Sequence, residues 1–67
     1  MFAMQFQVCP GGRGARWVVR LGKSLYGVYL DKEQALLDAV DAARDAVQAG
    51  HDVQVWIRDQ STMARVF

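Results

Sequence analysis

The stretch from Asp31 to Gly50 constrains this chain most, because no other part of the sequence can be helical over a comparable length. Asp31 is a residue type that often begins helices, and Gln34 follows three positions later, which is the spacing of a capping box. Gly50 stands where a glycine commonly ends a helix. We therefore predict one helix between these ends, and we expect the rest of the chain to be short strands that need its apolar face.

The apolar positions of this predicted helix recur at helical spacing and are mostly small. The predicted buried stripe consists of Leu36, Ala39, Val40, Ala43, Ala46 and Val47. Small side chains let a helix approach a sheet closely, so the strands should supply the bulky core residues, with Phe6, Trp17 and Ile57 as candidates. Leu37 lies off the stripe and is expected to be partly exposed.

Alternating apolar and polar residues predict five strands around the helix. These are Gln5–Val8, Arg16–Leu21, Leu25–Leu30, Val53–Arg58 and Met63–Phe67. Residues 10–14 read as a glycine-rich loop, residues 22–24 and 59–62 read as turns, and Gly27 marks a bulge or a close approach. The predicted order is β-β-β-α-β-β, which indicates an α+β fold with one antiparallel sheet covered on one face by a single helix.

One face of that sheet is left open, and alternation assigns its residues. They are Gln5, Gln7, Arg16, Val18, Arg20, Gln54, Trp56 and Arg58. Either Tyr26 or Tyr29 should join them, depending on where the irregularity at Gly27 falls. The candidate interface or ligand-binding set is Arg16, Val18, Arg20, Gln54, Trp56 and Arg58.

The length of 67 residues indicates a single small domain, residues 1–67, with little core to stabilise it. Cys9 is the only cysteine and His51 the only histidine, so neither a disulfide nor a structural zinc site is expected. No apolar run reaches the length of a membrane span, and the N-terminus lacks the pattern of a signal peptide. We expect a cytoplasmic protein without a cofactor and without membrane contact.

The net charge of +1 hides an uneven distribution along the chain. Residues 1–30 carry a charge of +4 and no acid, whereas residues 31–50 carry −3. A basic sheet and an acidic helix could bind partners of opposite charge. The alternative is that the acids simply solvate the outer face of the helix.

The chain also resembles a known family. A strand that ends in a Pro-Gly loop is followed by Trp17–Arg20, by the helix opening at Asp31–Ala35, and by an aliphatic strand that ends in a turn at Asp59. This succession resembles the small bacterial domain-of-unknown-function family 2188 over nearly the whole chain. The family usually has a glycine in the last turn, where this chain has Gln60 and Ser61. Because that family has no assigned activity, the resemblance implies the fold and no mechanism.

Several local patterns that suggest chemistry fail on inspection. The Gly22-Lys23-Ser24 turn lacks the earlier glycine and the following helix of a P-loop. Gly11–Gly14 could offer amides to an anion or to RNA, but glycine is also the ordinary residue of tight loops. The acids of the helix, Asp38, Asp41 and Asp45, lack the converging oxygens that a divalent cation needs. No nucleophile has a placed base, so we do not expect an enzyme.

Trp56 and its neighbouring arginines are the grouping that most favours a function. Tryptophan and arginine are enriched at protein interfaces, and they also stack on and neutralise single-stranded nucleic acid. The interface interpretation predicts a non-enzymatic interaction module that forms a homodimer through the open sheet face or through an edge such as Met63–Phe67. Another protein partner and a weak nucleic-acid interaction are the alternatives.

Overall fold

The computed structural model describes residues 3–11 and 16–67. Its elements are β1 (Met4–Pro10), β2 (Trp17–Leu21), β3 (Ser24–Tyr29), α1 (Lys32–Gln48), β4 (Val53–Asp59) and β5 (Thr62–Arg65). The predicted order and the α+β class are confirmed. Residues 12–14 of the predicted glycine-rich loop lie outside the described residues.

The five strands form one mixed sheet in the order β3-β2-β1-β4-β5. The prediction of a fully antiparallel sheet is wrong at one place, because β1 and β4 pair in parallel. Two hairpins make β3 run in the same direction as β1. The helix then carries the chain back by about 25 Å over its 17 residues, so β4 starts at the same end of the sheet as β3. A strand added beside β1 after such a crossover must be parallel to it.

The core lies between α1 and one face of the sheet. Its buried residues are Phe6, Val8, Val19, Val53 and Val55 from the strands and Ala35, Ala39 and Ala43 from the helix. Trp17 and Ile57, which we expected to supply bulk, are partly buried against this cluster. Three alanines spaced four residues apart let the strand side chains fill the space beneath the helix, as the sequence predicts.

The buried stripe of α1 is rotated relative to the prediction. At 100° per residue, Ala35, Ala43 and Ala46 all lie within about 40° of Ala39, whereas Val47 lies about 80° away. The side chain of Val47 is accordingly 47% exposed, and Ala35 is fully buried in its place. Leu37 is exposed, as expected.

Both predicted ends of the helix are confirmed. The Asp31 carboxylate accepts a hydrogen bond of 2.8 Å from the Gln34 amide. At the other end, Gly50 has φ +91°, and its amide donates to the Val47 carbonyl. The His51 amide donates to the Ala46 carbonyl, which completes a Schellman motif.

Gly27 is both a bulge and a close-approach point. The pairing of β2 with β3 shifts register between Val19 and Arg20, opposite this glycine. A Cβ atom at Gly27 would lie 2.5 Å from the Tyr29 hydroxyl oxygen, so the Tyr29 ring folds over the glycine. That ring then reaches the helix, where its hydroxyl donates to the Asp38 carboxylate at 2.5 Å.

Neither tyrosine joins the open face, so that expectation is wrong. Tyr29 bonds to the helix, and the Tyr26 ring meets the buried Phe6 ring edge-on at a centroid distance of 5.4 Å. The cause is the bulge, which inserts one residue and so brings both rings toward the helix side.

The C-terminal strand pairs within the chain. β5 is antiparallel to β4, and the Val66 amide donates to the Val55 carbonyl at 2.9 Å. The turn between them is Gln60-Ser61, with Gln60 in the left-handed region at φ +55°. This is the place where the resembled family usually has glycine, whose backbone adopts such a φ readily. The outer side of β5 remains an edge of the sheet.

Candidate functional site

The open face of the sheet is the side opposite α1, and most of the predicted residues lie on it. Strand alternation and the cross-strand pairing give its members as Gln5, Gln7, Cys9, Val18, Arg20, Leu25, Val28, Gln54, Trp56, Arg58, Met63 and Arg65. Arg16 is exposed but lies one position before β2, where its carbonyl accepts a hydrogen bond from the Gly11 amide. Five of the six candidate residues are therefore strand residues of one surface.

A cross-strand row runs through the middle of this face. Arg20 pairs with Gln7, Gln7 with Trp56, and Trp56 with Arg65. Leu25 stands opposite Arg20 on the outer strand. The row joins residues from four strands, and it places one arginine on each side of the Gln7–Trp56 pair.

Hydrogen bonds between side chains hold the Trp56 indole in place. The Gln54 side-chain oxygen accepts from Trp56 Nε1 at 2.9 Å and from Gln5 Nε2 at 3.2 Å. Trp56 is half-buried although no helix covers it. Since its only donor is already bonded, the indole has only its apolar ring to offer a ligand.

A shallow cavity of about 360 Å³ opens beside this indole. It is lined by Gln5, Gln7, Gly22, Trp56 and Met63. The cavity has apolar walls from Trp56 and Met63 and amide groups from the two glutamines. Its size is at the lower end of pockets that hold small molecules.

The charged side chains of the strands on the open face are all positive. Arg20, Arg58 and Arg65 are exposed there. Asp59 is the only acid within the five strands, and alternation turns it to the opposite side from Arg58. The acids of the helix, Asp38, Asp41 and Asp45, are exposed on the other side of the molecule. The uneven charge along the sequence thus becomes a cationic sheet face and an acidic helix face.

Cys9 lies on the open face by alternation, yet it is only 3% exposed. It pairs with Val18 across the sheet and is a free thiol. Within the described residues, no group of three or more His, Cys, Asp or Glu side chains converges as a metal site would require. Neither observation adds a chemical role to this face.

Met63 and Arg65 belong to the site but were missed from the sequence. The pattern of the last strand is too short and irregular to show which side chains face the helix. Only the register of the final hairpin, in which Met63 faces Arg58 and Arg65 faces Trp56, assigns them. Counting back from a two-residue turn at Gln60-Ser61 could have found this register.

Comparison with family models, curated proteins and solved structures found no match to this chain. The resemblance to the domain-of-unknown-function family 2188 therefore stays a prediction. Among the described residues, no helix has the length and apolar character needed to cross a membrane.

Proposed function

We propose that this chain is a small non-enzymatic interaction module that associates with a second copy of itself along the β3 edge of the sheet. The observation that carries the proposal is a line of exposed aliphatic side chains on an uncharged edge strand. Leu25 and Val28 of β3 are 57% and 52% exposed, and Leu30, directly after the strand, is 73% exposed. Exposed aliphatic residues in such a cluster are typical of an interface.

The two edges of the sheet differ in how well they resist pairing. β5 is four residues long and carries Arg65, and short or charged edge strands disfavour association. β3 is six residues long and has no charged residue. Its outward amide and carbonyl groups can pair with a second β3 strand about a twofold axis, which would extend the sheet across two copies. The bulge at Gly27 limits the regular part of that pairing.

A face-to-face dimer is less favourable than this edge dimer. It would bring Arg20, Arg58 and Arg65 of each copy together, and the strands supply no carboxylate on that face to pair with them. Like charges placed together across an interface oppose association by several kcal/mol. Pairing through β3 keeps these arginines in solvent.

The test is the molar mass in solution, measured by sedimentation or light scattering at about 100 µM. At this concentration the dimer should be the main species, because association rises with protein concentration. Wild-type protein should have twice the mass of the chain. Val28→Lys should give a monomer with a lower melting temperature, because association and folding are coupled.

Met63→Lys is the matched control, since Met63 is also 52% exposed but lies on β5, the other edge strand. It should leave the dimer intact. A monomeric wild-type protein would refute the proposal, and a monomer produced by Met63→Lys but not by Val28→Lys would place the interface on the β5 side of the sheet instead.

A further inference from the structure

We infer that the open face binds single-stranded nucleic acid, with Trp56 as a stacking platform and Arg20 and Arg65 as phosphate contacts. This inference does not depend on the edge dimer, because pairing through β3 leaves the open face uncovered. A twofold axis perpendicular to the sheet would place the open faces of both copies on the same side.

The charge of the face defines the ligand as an anion. Three exposed guanidinium groups lie among neutral side chains, and the acids of the helix point away on the opposite side. Arginine binds phosphate in a bidentate manner and is favoured over lysine where planar recognition is needed. A partner that neutralises this face must carry several negative charges.

The cross-strand row fits an extended chain of phosphates. Arg20, Gln7, Trp56 and Arg65 lie on four neighbouring strands. With strands about 4.8 Å apart, the two arginines are separated by about 14 Å at their backbones. A nucleic-acid strand has one charge every 3.4 Å or so even when it is stacked in a duplex, so the row spans a few nucleotides.

The centre of the row favours a base between those phosphates. Trp56 lines the cavity with its polar nitrogen already bonded to Gln54, which leaves the ring itself as the contact surface. Gln7 lines the same cavity, and its amide offers donors and an acceptor to the edge of a base. Because bases in a duplex are stacked on each other, only an unpaired base can present its face to an aromatic side chain.

The experiment is a titration of the full chain into a fluorescein-labelled oligothymidylate of about ten nucleotides, a length within the site sizes of single-strand binders. Anisotropy should rise at low salt, and affinity should fall steeply with added salt. Trp56→Ala should weaken binding by about 5- to 150-fold, as expected for the loss of one stacked base. The double variant with Arg20→Gln and Arg65→Gln should reduce the salt slope by about 1.4, for two lost phosphate contacts on a single strand.

Arg44→Gln is the charge-matched control for Arg20→Gln alone, because each removes one positive charge and Arg44 is exposed on the helix at the other side of the molecule. It should leave affinity nearly unchanged, and circular dichroism should show that every variant is folded. Equal losses for Arg44→Gln and Arg20→Gln would reduce the interaction to net charge and overturn the inference.

A measurement on unaltered protein separates nucleic acid from an acidic polypeptide. Unlabelled oligothymidylate should displace the labelled strand at far lower concentrations than polyglutamate of equal charge. Equal competition would instead make an acidic protein segment the partner, and no anisotropy change at low salt would remove the inference altogether. Because molar mass and strand binding are measured separately, failure of one proposal does not imply failure of the other.

Discussion

On the helix-covered face of the sheet, the strand side chains are aliphatic or aromatic and pack against a line of alanines, whereas the open face carries glutamine, arginine and one fixed tryptophan. Neighbouring residues of one strand therefore have different roles, one in the core and the next on the open face. Phe6 is buried beneath the helix, while Gln7, next in sequence, lines the cavity on the other side.

This difference follows from the presence of a single helix in the described residues. α1 packs against β1, β2, β3 and β4 on one side, and the described chain has no second helix to cover the other side. The helix can therefore bury apolar side chains on only one face of the sheet. The other face can then hold residues that contribute little to folding, which leaves it open to selection for binding.

The largest expected effect comes from the adjacent pair Phe6 and Gln7. Phe6→Ala should lower the free energy of unfolding by about 3–5 kcal/mol, since Phe6 is among the largest fully packed side chains. Gln7→Ala should change it by about 0.5 kcal/mol or less, as is usual away from the core. Urea denaturation followed by circular dichroism measures both values, and similar losses for the two variants would contradict the division between the faces.

Enlarging a side chain at the contact between the helix and the sheet should also lower stability. Ala43 is fully buried at the contact between helix and sheet, so Ala43→Leu should cost about 1–3 kcal/mol by overpacking. Ala42 is only partly buried at the margin of that contact. Ala42→Leu should therefore be clearly less destabilising in the same denaturation experiment, and the reverse order would mean that the buried stripe is misplaced.

A smaller effect, dependent on pH, is expected where β3 meets the helix. Burial and the neighbouring Asp38 carboxylate raise the pKa of Tyr29 to about 12 from its ordinary value near 10. The unfolded chain therefore loses this proton first, so the associated stability is present below pH 10 and is lost as pH rises toward 12. Tyr29→Phe should cost about 0.5–1.5 kcal/mol at neutral pH, as for one hydrogen bond, and this difference from wild type should shrink at high pH.

Denaturation midpoints of the two proteins between pH 8 and about 12 test this relation. Phenolate absorbance offers an independent check, since Tyr29→Phe should remove the part of the absorbance change that appears at the highest pH. A constant difference between wild type and Tyr29→Phe across this range would show that the hydroxyl does not bond to Asp38 in solution.

Local sequence signals were sufficient for the helix ends, the strand order along the chain and most of the open face. Asp31 and Gly50 act through bonds to residues within five positions, and alternation in β1, β2 and β4 assigns faces without reference to any other strand. The direction of β4, parallel to β1 and β3, was also implicit in the order of elements, because two hairpins and one returning helix fix it. The rotation of the helix stripe was missed because Val47 was counted by its apolarity rather than by its angle.

The arrangement of the strands side by side was decided by the tertiary structure alone. Nothing in the local pattern says that β4 adds to β1 rather than to β3, and that choice makes β3 an edge strand and aligns Arg20, Gln7, Trp56 and Arg65 in one row. The physical reason is that strand pairing joins residues far apart in sequence, and its energy depends on how the whole sheet packs beneath the helix. Alternation tells which face a side chain takes, but only the assembled sheet determines which side chains become neighbours on it.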